Sequence, residues 1–143
     1  MSYDLMVFEP TAAPRGRAEF MKWYAKQTEW SEDHDYDDPK VSSPALQRWF
    51  GEMIEVFPPM NGPLAGDDDD DNPHVTDHCV GREVIYSAFA WSCAEEAYSR
   101  MRDLALKHRV GFFDASSEDG EILFPDRRDW DAKKGGRPWW RLW

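Results

Sequence analysis

Cysteine is scarce in this chain: Cys79 and Cys93 are the only two in 143 residues, and they lack the paired spacing of a metal site. That excludes a disulfide-stapled secreted scaffold and leads to the expectation of a reducing, cytoplasmic setting. Basic residues are also in short supply, 17 Lys and Arg against 28 Asp and Glu, which leaves a formal net charge of −11. Nucleic-acid affinity rests on cationic side chains displacing counterions, so a surface this acidic argues against nucleic acid and anionic membrane as partners. No run approaches the roughly 20 apolar residues of a membrane span. The opening MSYDLMVFEP carries no basic stretch ahead of its apolar run, so no secretory signal is expected. Absent too are G-x-S-x-G, a P-loop, G-x-G-x-x-G and H-E-x-x-H. An enzyme is therefore unsupported, and no cofactor is expected.

What is present suffices for one packed domain. Hydrophobic residues make up 41% and aromatics 15%, enough to form a core and to rule out wholesale disorder. The charge is unevenly spread. Residues 127–143 hold six basic and two acidic residues, a tail of +4 that leaves −15 on residues 1–126. The tail also carries four of the eight tryptophans, Trp130, Trp139, Trp140 and Trp143. It reads either as an arm for an anionic ligand or as a segment that docks on the acidic body, and docking is the expectation because a free WWRLW end would expose a large apolar patch.

The run Tyr3 to Phe8 is too short for a helix and ends at Glu9-Pro10, which predicts a strand near the middle of a sheet. Arg17–Thr28 places Phe20, Met21, Tyr24 and Gln27 at helical spacing. A second helix is announced by Ser43-Pro44, a side-chain cap followed by proline in the first turn. Its apolar face is Leu46, Trp49, Phe50, Met53, Ile54 and Phe57, and Pro58-Pro59 stops it. Residues 60–73, with glycine, proline and five successive aspartates, predict a mobile acidic loop. Val75–Val80 and Glu83–Trp91 read as strands around Gly81-Arg82, the second buried on both sides. A third helix starts from the capping box Ser92-x-x-Glu95 and buries Ala94, Ala97, Tyr98, Met101, Leu104 and Ala105. Gly111–Ser116 and Glu121–Pro125 form a last strand pair about Asp119-Gly120. This order predicts an α+β sandwich of ferredoxin-like character, a mostly antiparallel sheet of four to five strands with about three helices on one face.

Two acidic segments are candidate sites. The first, Ser31–Lys40, reads as a solvated loop in which Trp30 and Tyr36 add aromatic anchors to Asp33, Asp35, Asp37 and Asp38, the mixture that makes interface hot spots. The second is Asp67, Asp68, Asp69, Asp70 and Asp71, expected to steer a basic partner at longer range. Five consecutive aspartates cannot all point inward at a cation, and they lack the alternating ligands of a calcium loop. No metal is expected. The alternative is a small metal-assisted enzyme built on the Asp67–Cys79 cluster with His74, Asp77 and His78, although on a strand His74 and His78 would stand about 13 Å apart. Cys79 and Cys93 read as structural thiols.

The opening Ser2–Pro10 (SYDLMVFEP), the strand Val84–Ser92 (VIYSAFAWS) with its capped helix, and Val110–Ser116 (VGFFDAS) with its hairpin together resemble short acidic bacterial proteins of the immunity type. Such proteins neutralise toxins delivered between competing bacteria. The resemblance runs over residues 1–125 and its motifs are strands and caps, so it implies a function but assigns no residue to it. The resulting expectation is a non-catalytic, acidic, cytoplasmic protein that covers a basic toxin domain. It would use Trp30, Asp33, Asp35, Tyr36, Asp37 and Asp38.

Overall fold

The computed structural model describes residues 2–65, 72–117 and 120–126. The aspartate run Asp67–Asp71 and the tail 127–143 lie outside the described residues. Five strands, β1 (Tyr3–Phe8), β2 (Asp77–Val80), β3 (Val84–Phe89), β4 (Gly111–Phe113) and β5 (Ile122–Leu123), form one open sheet in the order β2-β3-β1-β4-β5. Every neighbouring pair is antiparallel. Among the described residues the α-helices are α1 (Arg17–Gln27), α2 (Pro44–Met53) and α3 (Ala94–His108). Among the described residues no helix is long and apolar enough to cross a membrane.

β1 is central, flanked by β3 and β4, and its side chains alternate between two cores. Tyr3, Leu5 and Val7 join Ile85, Phe89 and Phe112 beneath α2 and α3, whose Leu46, Trp49, Phe50, Met53, Ala97 and Met101 complete the larger cluster. α2 and α3 are tied to each other by the Trp49 indole, which donates to the Met101 carbonyl at 3.3 Å. On the opposite face Met6 and Phe8 join Val84, Phe113 and Phe124 beneath Phe20 of α1. The helices thus lie on both faces of the sheet, not on one. The reason is in β1 and β4, which carry large apolar groups on both sides and leave neither side fit for water.

The local signals hold unevenly. Ser43 caps α2 as its sequence predicts, its hydroxyl accepting from the Leu46 amide at 3.3 Å. α3 buries the six residues expected of it. Its predicted capping box does not form: a 3-10 turn over Trp91–Cys93 precedes the helix, Cys93 is the N-cap and no side chain caps it. Trp91, at the end of the strand expected to be buried on both sides, is 38% exposed. In α1 the inward residues are Phe20, Trp23 and Tyr24, while Met21 turns to solvent.

The free edge of β2 is closed at both ends. The Thr76 amide donates to the Pro58 carbonyl and the Met60 amide to the Thr76 carbonyl, while at the other end the Val80 amide donates to the Tyr36 carbonyl. Covering an edge in this way removes a template for unwanted strand pairing. It also fixes the loop after α1 against the sheet.

Candidate partner-binding surface

The loop after α1 is acidic and contains no glycine, yet it is held in place residue by residue. Trp30 opens it in the left-handed region, φ 53°, a conformation that costs a bulky side chain about 1–2 kcal/mol. Ring contacts offset that cost: the indole meets Tyr36 edge-on at 5.1 Å and Tyr86 of β3 at 6.1 Å. Tyr36 is further anchored by its phenol, which accepts from the Glu32 amide, and by the bond from its carbonyl to Val80. The Glu32 carboxylate accepts from the Arg82 amide in the β2–β3 turn and pairs with His34. The His34 pKa is raised, first by its hydrogen bond to the Asp35 carbonyl and also by Glu32.

These roles divide the sequence-predicted residues. Asp38 caps the 3-10 turn Pro39–Val41 by accepting from the Lys40 amide at 3.0 Å, and Asp37 packs under Gly62, where φ is +94° and an added Cβ would collide with the Asp37 backbone. Asp38 is therefore committed to its cap, and Asp37 is half-buried. Tyr36 is chiefly a brace. Asp33 and Asp35 are exposed and Trp30 is half-buried, so these three form the rim of the loop most open to solvent.

Beside the rim lies a part of the sheet that α1 reaches only at Tyr86, through the Tyr24 ring. Asp77 and Cys79 of β2, Tyr86 and Ala88 of β3 and Asp4 of β1 share this face by strand alternation and register, and all five are half-buried where their neighbours are fully buried. Asp4 accepts from the Tyr86 hydroxyl at 2.6 Å. Burial, then Asp4, holds the Tyr86 hydroxyl in its protonated form by raising its pKa. Burial with Asp77 and Asp4 nearby pushes the Cys79 thiol up to about 11, the opposite of what a nucleophile requires. Among the described residues no cationic side chain pairs with Asp4 or Asp77. Sequence reasoning passed over Asp4 and Tyr86, although the polar residue inside the apolar run Tyr3 to Phe8 was a signal for the first.

The alternative metal cluster is dispersed. His74 pairs with Glu96 at 2.7 Å. His78 is buried on the α2 side of the sheet, where its Nε2–H donates to the Phe57 carbonyl at 2.9 Å and its Nδ1 accepts from the Ser87 hydroxyl at 2.7 Å. With both ring nitrogens used, it has no lone pair to give. Asp77 faces the other side of the sheet. Burial lowers the His78 pKa to about 4 and keeps it neutral. Among the described residues no group of three or more His, Cys, Asp or Glu side chains is placed to hold a metal ion.

A second titratable cluster escaped notice in the sequence. Asp114, at the end of β4, is 7% exposed, and burial pushes its carboxyl up to about 6 even though it accepts from the Ser116 amide. Nearby Glu121 accepts from the Tyr98 hydroxyl and lies 4.0 Å from Arg102. The pair resembles an acid and a base, but the Asp114 carboxylate closes its own turn.

Comparison with protein-family models, curated proteins and solved structures finds no match to this chain. Its function is argued from its own residues.

Proposed function

We propose that this chain is a non-catalytic binding protein that takes a basic protein domain on the rim formed by Trp30, Asp33 and Asp35, with Asp67–Asp71 steering the approach. The observation that carries the reading is the bracing of the loop. Glu32, Tyr36 and Asp38 spend polar groups on holding it and Asp37 lies against Gly62, while Asp33 and Asp35 are exposed and Trp30 is half-buried. A preformed acidic and aromatic rim loses little conformational freedom on binding, which favours affinity. The charge of −15 on residues 1–126 favours fast encounter with a cation.

The narrower form of the proposal is an immunity-type protein that occludes a bacterial toxin. Its core would be ferredoxin-like. In support, β2-β3-β1-β4 are all antiparallel, and α2 and α3 pack on one face; β5 and α1 would be additions.

The test is capture from a bacterial lysate by the wild-type chain and by Trp30→Gly/Asp33→Asn/Asp35→Asn. A cationic protein held by the first and released by the second is the expected result. Equal capture by both would remove the rim from the account.

A further inference from the structure

We infer that the part of the sheet beyond α1, lined by Asp4, Asp77, Cys79 and Ala88 with Tyr86 at its wall, is the docking site for the chain's own basic tail, residues 127–143. This inference is independent of any partner.

Three observations support it. The first is the shape of the surface. α1 covers Met6, Phe8, Val84, Phe113 and, through Tyr24, Tyr86 on this face; beyond it the strands continue to Asp4, Ala88 and Asp77, which stay half-buried. The remaining patch is walled by rings: Tyr24 lies parallel to Tyr86 at 6.5 Å, and Trp30 stands edge-on to Tyr86. A patch with aromatic walls and two carboxylates suits a segment rich in both basic residues and Trp, because the guanidinium can pair with the acids while indoles cover the apolar floor.

The second is where the described chain ends. Phe124 packs against Phe8 at 5.2 Å on the α1 side of the sheet, and Asp126 is held by both guanidinium nitrogens of Arg15 at 2.9 Å. The described chain therefore ends on the same face as the patch. From β5 to β2 are four interstrand steps of about 4.8 Å, roughly 19 Å in all. Seventeen residues extend to roughly 56 Å, so the tail has length to spare.

The third is charge. The tail carries +4 against −15 on residues 1–126, and Asp4 and Asp77 have no cationic partner among the described residues. The wall of tyrosines offers hydroxyls rather than competing cations. A second copy of the chain would bring the same negative face and be repelled, which favours the tail as occupant.

The experiment uses the full chain, ¹⁵N-labelled, with a nitroxide on Gly136→Cys. Native Cys93 is buried, and Cys79→Ser in the same chain keeps the label off the half-buried thiol of the patch. Amides of Asp77–Val80 and Tyr86–Ala88 are expected to lose intensity while those along α3, on the opposite face, keep it. The loss should disappear in about 1 M salt, where the screening length is about 3 Å, and in Arg137→Glu/Arg141→Glu. Loss confined to residues 120–126, or equal on both faces of the sheet, would overturn the inference. So would a loss on the β2–β3 face that neither salt nor the charge reversal relieves, since the attraction would then not be the one described.

Discussion

Replacing Asp114 by Asn is expected to stabilise the protein at neutral pH and to expose an acid sensitivity that the wild type conceals. In the folded state burial raises the Asp114 carboxyl from 3.8 to about 6. A raised acid favours folding where it is protonated, so the wild type loses stability as pH rises from 3.8 through 6. Each pKa unit is worth about 1.4 kcal/mol, which makes the loss about 3 kcal/mol. His78 acts in the opposite sense. Its pKa falls from 6.5 to about 4, so the neutral ring is favoured, and stability is lost as pH drops below 6.5, again by about 3 kcal/mol. Between pH 4 and 6 the two slopes nearly cancel. Asn keeps an oxygen to accept the Ser116 amide but never ionises. The difference in unfolding free energy between Asp114→Asn and wild type, measured by urea denaturation at steps of pH, should be near zero below pH 4 and rise to about 3 kcal/mol above pH 6. A difference curve that is flat, or that falls with pH, would refute the burial argument for Asp114.

Other substitutions test other parts of the structure. Arg109 ends α3 with φ 58°, so Arg109→Gly should raise the unfolding free energy by about 1 kcal/mol, read by the same denaturation. Gly111 faces Phe8 across β1 and β4, and a Cβ there would enter the ring; Gly111→Ala should cost about 1–3 kcal/mol. Trp49→Ala removes a fully buried indole between α2 and α3 and should cost about 3–5 kcal/mol, with loss of the cooperative thermal transition if the domain falls below its stability threshold. Trp30→Gly relieves about 1–2 kcal/mol of backbone strain and forfeits ring contacts of about 0.5–1.5 kcal/mol each, so its melting temperature should stay close to wild type while capture of a basic partner falls.

The elements that sequence reasoning located best are those whose signal is local. The short apolar run Tyr3 to Phe8, the cap Ser43-Pro44 and the apolar stripe from Ala94 to Ala105 each depend on neighbours within a few positions. Placement of α1 on the second face was not legible, because it depends on which side of β1 the chain crosses after Pro14. The Ser92-x-x-Glu95 pattern was displaced by a tertiary effect, the 3-10 turn at Trp91–Cys93, whose Trp91 ring packs on Tyr3 at 5.1 Å. Of the candidate rim, the residue types were readable but their division was not. Asp38 and Asp37 look like Asp33 and Asp35 in the sequence, and only the positions of Lys40 and Gly62 make them a cap and a brace. His78 looked like a ligand because its spacing from His74 is visible, while its partners Phe57 and Ser87 are brought to it by the fold.

The central claim, that an acidic and aromatic rim captures a cationic protein, is tested most directly by the association rate of the captured protein with the full chain in stopped flow. Raising salt from about 0.15 M to about 1 M shortens the screening length from about 8 Å to about 3 Å. The account predicts that association slows steeply while dissociation changes little, and that Asp33→Asn/Asp35→Asn lowers the low-salt rate toward the high-salt one. An association rate that is the same at both salt concentrations and in both proteins would contradict it.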